Sequence, residues 1–143
     1  MSIDYIQDLT YEEKIIFLKL FCVLIKTDNN VDSDEIAFLK AIAQKYGVDS
    51  ATTLSIIKNT NPQAYMMAAS AIVNRKHALE LLKELCFLAN VDENLHDAEL
   101  DTIIKISDIL GIEHEKLLLI NRFVLDSIIL NKAGQIILEK ENG

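Results

Sequence analysis

Residues 17–54 align without a gap on residues 81–118, at an offset of 64. An internal repeat constrains a fold more than any single motif, because both copies must adopt the same unit and bury the same face. Ten of the 38 aligned pairs are identical. Asp28/Asp92, Asn30/Asn94, Glu35/Glu99 and Gly47/Gly111 fall in one register with Lys19/Lys83 and Cys22/Cys86. Shared helical composition explains matched leucines and isoleucines, but not Asp, Asn, Glu and Gly in step. Each copy reads as a helix, an acidic turn, a second helix closed by glycine, and the start of a third.

Apolar spacing predicts helix nearly throughout. Thr10-Tyr11-Glu12-Glu13 has the form of a capping box, opening a helix to about Lys26 with Ile15, Leu18, Phe21, Cys22 and Ile25 inward. Asp32-Ser33-Asp34-Glu35 repeats the pattern before a stripe of Ile36, Leu39, Ala43 and Tyr46, and Gly47 supplies the left-handed stop. A third helix spans about Ser50 to Asn59. Asn61-Pro62 is an N-cap followed by proline at the first helical position, opening a fourth helix to about Asn74. That helix, rich in Ala and with Met66 and Met67, is expected to be central and packed on all sides, a Met-rich partner groove being the alternative. Three more helices are expected near Lys76–Val91, Asp97–Leu110 and His114–Leu130. Residues 131–143 read as a loosely attached tail, in which Gln135 to Leu138 forms a last helical turn or a short strand. The expectation is a single all-α domain over 1–143: a compact bundle of about seven helices. Its two pseudo-symmetric repeats would run about 10–57 and 76–121, each covering the other's apolar face.

Several function classes fall away. Four Gly and one Pro are too few turn residues for a β-sandwich. A formal charge of −8 repels a phosphate backbone, so no nucleic acid is expected as partner. Cys22 and Cys86 lie in apolar runs and are too few for a disulfide framework or a zinc site, so reduced, buried thiols are expected. Met1 to Asp8 carries acids where a signal peptide has basic residues. The apolar run from Ile15 to Ile25 is interrupted by Lys19 and falls short of the roughly 20 residues of a membrane span. No membrane insertion and a cytoplasmic location are expected. No Ser, Cys or Lys has a His placed as its base, and no Gly-rich phosphate loop occurs, so an enzyme is not expected. His77, His96 and His114 share no metal-binding spacing and are read as solvent-facing, His96 least firmly because it lies among Asp92, Asp97 and Glu99.

The chemistry-bearing segments are the two acidic turns, Asp28-Asn29-Asn30-Val31-Asp32-Ser33-Asp34-Glu35 and Asp92-Glu93-Asn94-Leu95-His96-Asp97-Ala98-Glu99. They are not EF-hands. Counting from Asp28, the glycine and bidentate glutamate positions hold Ser33 and Leu39; counting from Asp92 they hold Asp97 and Ile103. Glu35 and Glu99 fit a structural role, since carboxylates in the first turn of a helix favour the dipole and cap backwards. Asn30 and Asn94 tolerate positive φ and can close the preceding helix. Asp28 and Asp92 fit less well, because a carboxylate at a helix C-terminus meets the negative dipole end. The same unfavourable placement twice calls for a partner: loop amides, a basic side chain or a bound cation.

The pattern Asp-x-Asn-Val-x-x-x-Glu, then helix and Gly, within Lys26-Thr27-Asp28-Asn29-Asn30-Val31-Asp32-Ser33-Asp34-Glu35-Ile36, resembles the tellurite-resistance TerB family. It is similar as well to the N-terminal domain of DjlA-type membrane-bound J-domain co-chaperones. The resemblance covers residues 10 to about 125. It implies a compact all-α domain without catalytic activity, acting in tellurite resistance or the stress response. It also implies a protein partner in a membrane-associated complex, and a divalent metal ion held by Asp28 with Glu35 and Asp92 with Glu99. Asn30, Asn94 and His96 are secondary candidates. Asn29 and Glu93 stand where the family often has Gly, and His96 where it has a small N-cap. The alternative from a different class is a helical protein–protein adaptor, like a co-chaperone accessory domain, whose acids are only helix caps.

Overall fold

The computed structural model describes residues 5–26, 33–90 and 97–142. Among these the chain forms eight α-helices and no strand: α1 (Tyr5–Asp8), α2 (Tyr11–Ile25), α3 (Ser33–Tyr46), α4 (Ser50–Lys58), α5 (Pro62–Ala68), α6 (Arg75–Asn90), α7 (Asp97–Leu110) and α8 (His114–Asn142). A 3-10 turn, Ala69–Ala71, follows α5. The all-α expectation holds, with the short α1 added to the seven helices read from the sequence. No helix among the described residues is long and apolar enough to cross a membrane.

The start and stop signals that fall on described residues act as read, Asp32 of the second capping pattern lying outside them, and Asp49 adds a cap not read from the sequence. Thr10 accepts from the Glu13 amide at 3.1 Å while Glu13 accepts from the Thr10 amide at 2.9 Å, completing the capping box. Asp49 caps α4 through the Thr52 amide at 2.7 Å, and Asn61 caps α5 through the Ala64 amide at 3.1 Å with Pro62 next in line. Gly47 and Gly111 carry φ of +76° and +71°, a left-handed conformation that costs an L-residue with a Cβ about 1 kcal/mol or more. Each closes its helix with the same pair of bonds. Gly47 N–H donates to Gln44 O and Val48 N–H to Ala43 O; Gly111 N–H donates to Asp108 O and Ile112 N–H to Ser107 O.

The central helix is α2, not α5. Phe17, Leu18, Leu20 and every residue from Phe21 to Ile25 are buried, because α2 is apolar on all sides from Leu20 onward and packs against α3, α4, α5, α6 and α7 in turn. The inward stripe read from spacing understated it. By contrast α5 with its 3-10 turn buries one side only. Tyr65, Ala69 and Ile72 face the core at helical spacing, while Met67 is 61% exposed. The expectation of a fourth helix packed on all sides is therefore corrected: small residues had suggested tight packing, but Ala64, Ser70 and Ala71 lie exposed on the outer side. Aromatic contacts bind α1 and α3 to α2. Phe17 stacks on Tyr5, meets Tyr46 and Phe21 edge-on, and the Tyr5 and Tyr46 hydroxyls lie 3.1 Å apart in the core.

Helix α8 continues unbroken through residues 131–142, correcting the expected stop near Leu130; Gln135 to Leu138 is helical, as one of its two expected forms, but within this long helix and not as a separate last turn. Gly134 is tolerated inside the helix, and the flanking Lys, Ala, Gln and Leu are good helix formers. Leu117 and Val124 are buried against the bundle, whereas Ile136, Ile137 and Leu138 are exposed.

Candidate functional site

The acidic turns join α2 to α3 and α6 to α7. Of the candidate ligands, Asp28, Asn30, Asp92, Asn94 and His96 lie outside the described residues. Glu35 and Glu99 are described. Each is the third residue of its helix, α3 or α7, and each is partly buried. Neither is a free carboxylate. Their placement suits the first-turn carboxylate role, since both face the positive end of a helix dipole.

The structure adds two polar ties that spacing did not reveal. At the end of α2, Lys26 Nζ donates to the Ile57 carbonyl of α4. At the end of α6, Asn90, which is only 5% exposed, donates through Nδ2 to Cys86 O at 2.7 Å and to Asn121 Oδ1 of α8 at 2.9 Å. Residues 26 and 90, and likewise 57 and 121, are separated by the repeat offset of 64. In each half, then, the residue just before the acidic turn is held to the third helix of that half. A buried amide with both bonds made is a rigid anchor, because breaking either bond strands a polar group.

Histidine placement differs from expectation at one position. His77 is not solvent-facing. Its Nδ1 lies 2.7 Å from Glu13 Oε2, with the two side chains 12% and 13% exposed. Burial acts to raise the Glu13 pKa, but the Thr10 amide and His77 outweigh it and hold the carboxyl below its ordinary value. His77 occupies the third position of α6 as Glu13 does of α2, so both are carried inward by the same first-turn geometry. His114 is exposed, as read, with Nε2 2.8 Å from Asp108 Oδ1. Arg75 meets Glu113 at 2.7 Å in an exposed pair, of small energetic weight in water.

The cysteines are free and buried, as expected. Burial pushes the Cys22 thiol up to about 11 and the Cys86 thiol up to about 12, so both are inert at neutral pH. Met66 and Met67 line a cleft of about 570 Å³ between α5 and α7, with Lys105, Asp108 and Ile109 on its far wall. Among the described residues, no group of three or more His, Cys, Asp or Glu side chains is placed to hold a metal ion.

These features define a small all-α domain whose candidate chemistry lies in two turns between helices, each tied at its start to the bundle. The chain belongs to the TerB family: the family model described as tellurite resistance protein TerB matches residues 14–121. No curated protein and no solved structure matches it.

Proposed function

We propose that this chain is a non-enzymatic, cytosolic TerB-family protein of tellurite resistance and the stress response that binds a divalent cation at its acidic turns. The reading rests on one observation, the recurrence at offset 64 of Asp28 with Glu35 and Asp92 with Glu99. The two turns lead into helices that begin at Ser33 and Asp97, again 64 residues apart. Carboxylate and amide oxygens make up these donors, apart from His96, and such a set suits a hard ion such as calcium, magnesium or manganese. Asp28, Glu35, Asp92 and Glu99 would hold the ion, with Asn30, Asn94 and His96 as secondary donors. The bound cation would neutralise the carboxylates that follow α2 and α6 in the chain and present a charged surface to a protein partner, in a membrane-associated complex.

Thermal melts test this directly, first with chelator and then with excess calcium, magnesium, manganese or zinc. Binding at a hundredfold excess over Kd adds about 2.7 kcal/mol to apparent stability. Asp28→Asn with Asp92→Asn is expected to leave the metal-free midpoint unchanged or slightly raised while abolishing the metal-induced rise. Glu35→Gln and Glu99→Gln keep an oxygen for capping and control for that role. A midpoint that no metal moves would sink the cation reading.

A further inference from the structure

The outer face of α8 is apolar, yet the bundle does not cover it. Leu117 and Val124 face the core at 4% and 1% exposure, whereas Leu118, Leu119, Ile129 and Leu130 are 66%, 63%, 62% and 75% exposed. Between these two apolar pairs lie Arg122 and Asp126, both exposed, and among the described residues neither makes an ion pair. The segment reads almost the same in either direction about Val124. Two apolar residues, two others, then Arg122-Phe123-Val124-Leu125-Asp126, two others, and two apolar residues again. Reversal also swaps Leu119 with Ile129, Asn121 with Ser127 and Phe123 with Leu125, but only Arg122 and Asp126 change sign of charge.

That pattern is what an isologous contact requires, since a two-fold axis pairs residue i of one copy with j of the other, and j with i. We propose that α8 is the interface of a homodimer, with the α8 helices of two copies antiparallel about an axis at the level of Val124. Leu118 then lies opposite Leu130 of the second copy, Leu119 opposite its Ile129, and Arg122 opposite its Asp126, each contact made twice. Within the overlap, Leu118, Leu119, Phe123, Leu125, Ile129 and Leu130 expose roughly 650 Å², most of the ~800 Å² that each partner contributes to a standard interface. Charge permits the approach. Helix α8 carries four basic and four acidic residues, so the whole formal charge of −8 lies elsewhere in the chain. An anionic membrane or a partner of one sign would call for charge of one sign on this face; balanced charge of alternating sign fits the chain's own copy.

The test is sedimentation equilibrium of the purified chain over a wide concentration range, with circular dichroism to verify folding. The wild type is expected to dimerise. Arg122→Asp places two acids opposite one another and should weaken the dimer at least about tenfold, as should the two bases of Asp126→Arg. Combining Arg122→Asp with Asp126→Arg re-creates the reciprocal pairs and should return the dimer constant to within about threefold of wild type. Wild-type protein that stays monomeric throughout would overturn the proposal. So would single variants that dimerise like wild type, or a double variant no better than either single one.

Discussion

Glu13 on α2 and Glu84 on α6 answer acid in opposite senses. Glu13 is held below its ordinary value by the Thr10 amide and His77 against the pull of burial. Its stabilising contribution is therefore fully present at neutral pH and fades as pH falls from the unfolded value near 4.3 through the folded one. Burial raises Glu84, with Glu80 adding to it and Lys83 and Lys45 opposing. Its ionised form costs stability at neutral pH, and the cost lifts as pH falls through the folded value toward the unfolded one. Glu84→Gln is expected to raise the melting midpoint at pH 7 and Glu13→Gln to lower it, the Glu84 difference vanishing below about pH 4 and the Glu13 difference persisting to lower pH, until Glu13 itself is protonated in the folded state. Melts across that range check both signs. Glu13 was legible as a cap because its partner is three residues away. Its contact with His77 was not, since nothing local marks a partner 64 residues distant. The same holds for Lys26 and Asn90, whose polar ties close across 31 residues each.

At the scale of elements, the contrast between α2 and α5 has a measurable counterpart. Leu20 is wholly buried at the centre of α2, so Leu20→Ala should cost about 3 kcal/mol in chemical denaturation. Met67→Ala on exposed α5 should cost less than about 0.5 kcal/mol. Equal costs would contradict the packing described. Helix ends were readable because caps, Pro62 and the two glycines act within one turn of chain. Depth of burial was less so: the helical period shows that a face is apolar, not how many neighbours surround it. A continuous apolar run such as Leu20 to Ile25 blurs the stripe, and small residues in α5 suit a crowded position as well as an open one.

For the molecule as a whole, the repeat offset recurs in structural detail. Thr10 and Asn74 cap their helices through amides three residues on, and Asp49 O and Glu113 O accept from Thr53 and Leu117 N–H, all at a separation of 64. Glu13 and His77 are themselves 64 apart and touch. A residue meets its own counterpart only close to a symmetry axis. We propose that a local two-fold passing between Glu13 and His77 relates residues 17–54 to 81–118. A crystal structure in which these segments do not superpose would remove it.

The ties that precede the two turns are alike in place but not in charge. An ammonium stands two residues before Asp28, where a neutral amide stands two residues before Asp92. Under the proposed cation reading, a positive charge two residues along the chain from Asp28 would compete with an incoming cation. The two turns should therefore fill in sequence rather than together, the one at Asp92 first. Calorimetric titration should resolve two steps, and Lys26→Asn should draw them together by strengthening the weaker one. A duplicated pair of equal turns would answer a single concentration of ion; on the proposed cation reading, this pair would be graded.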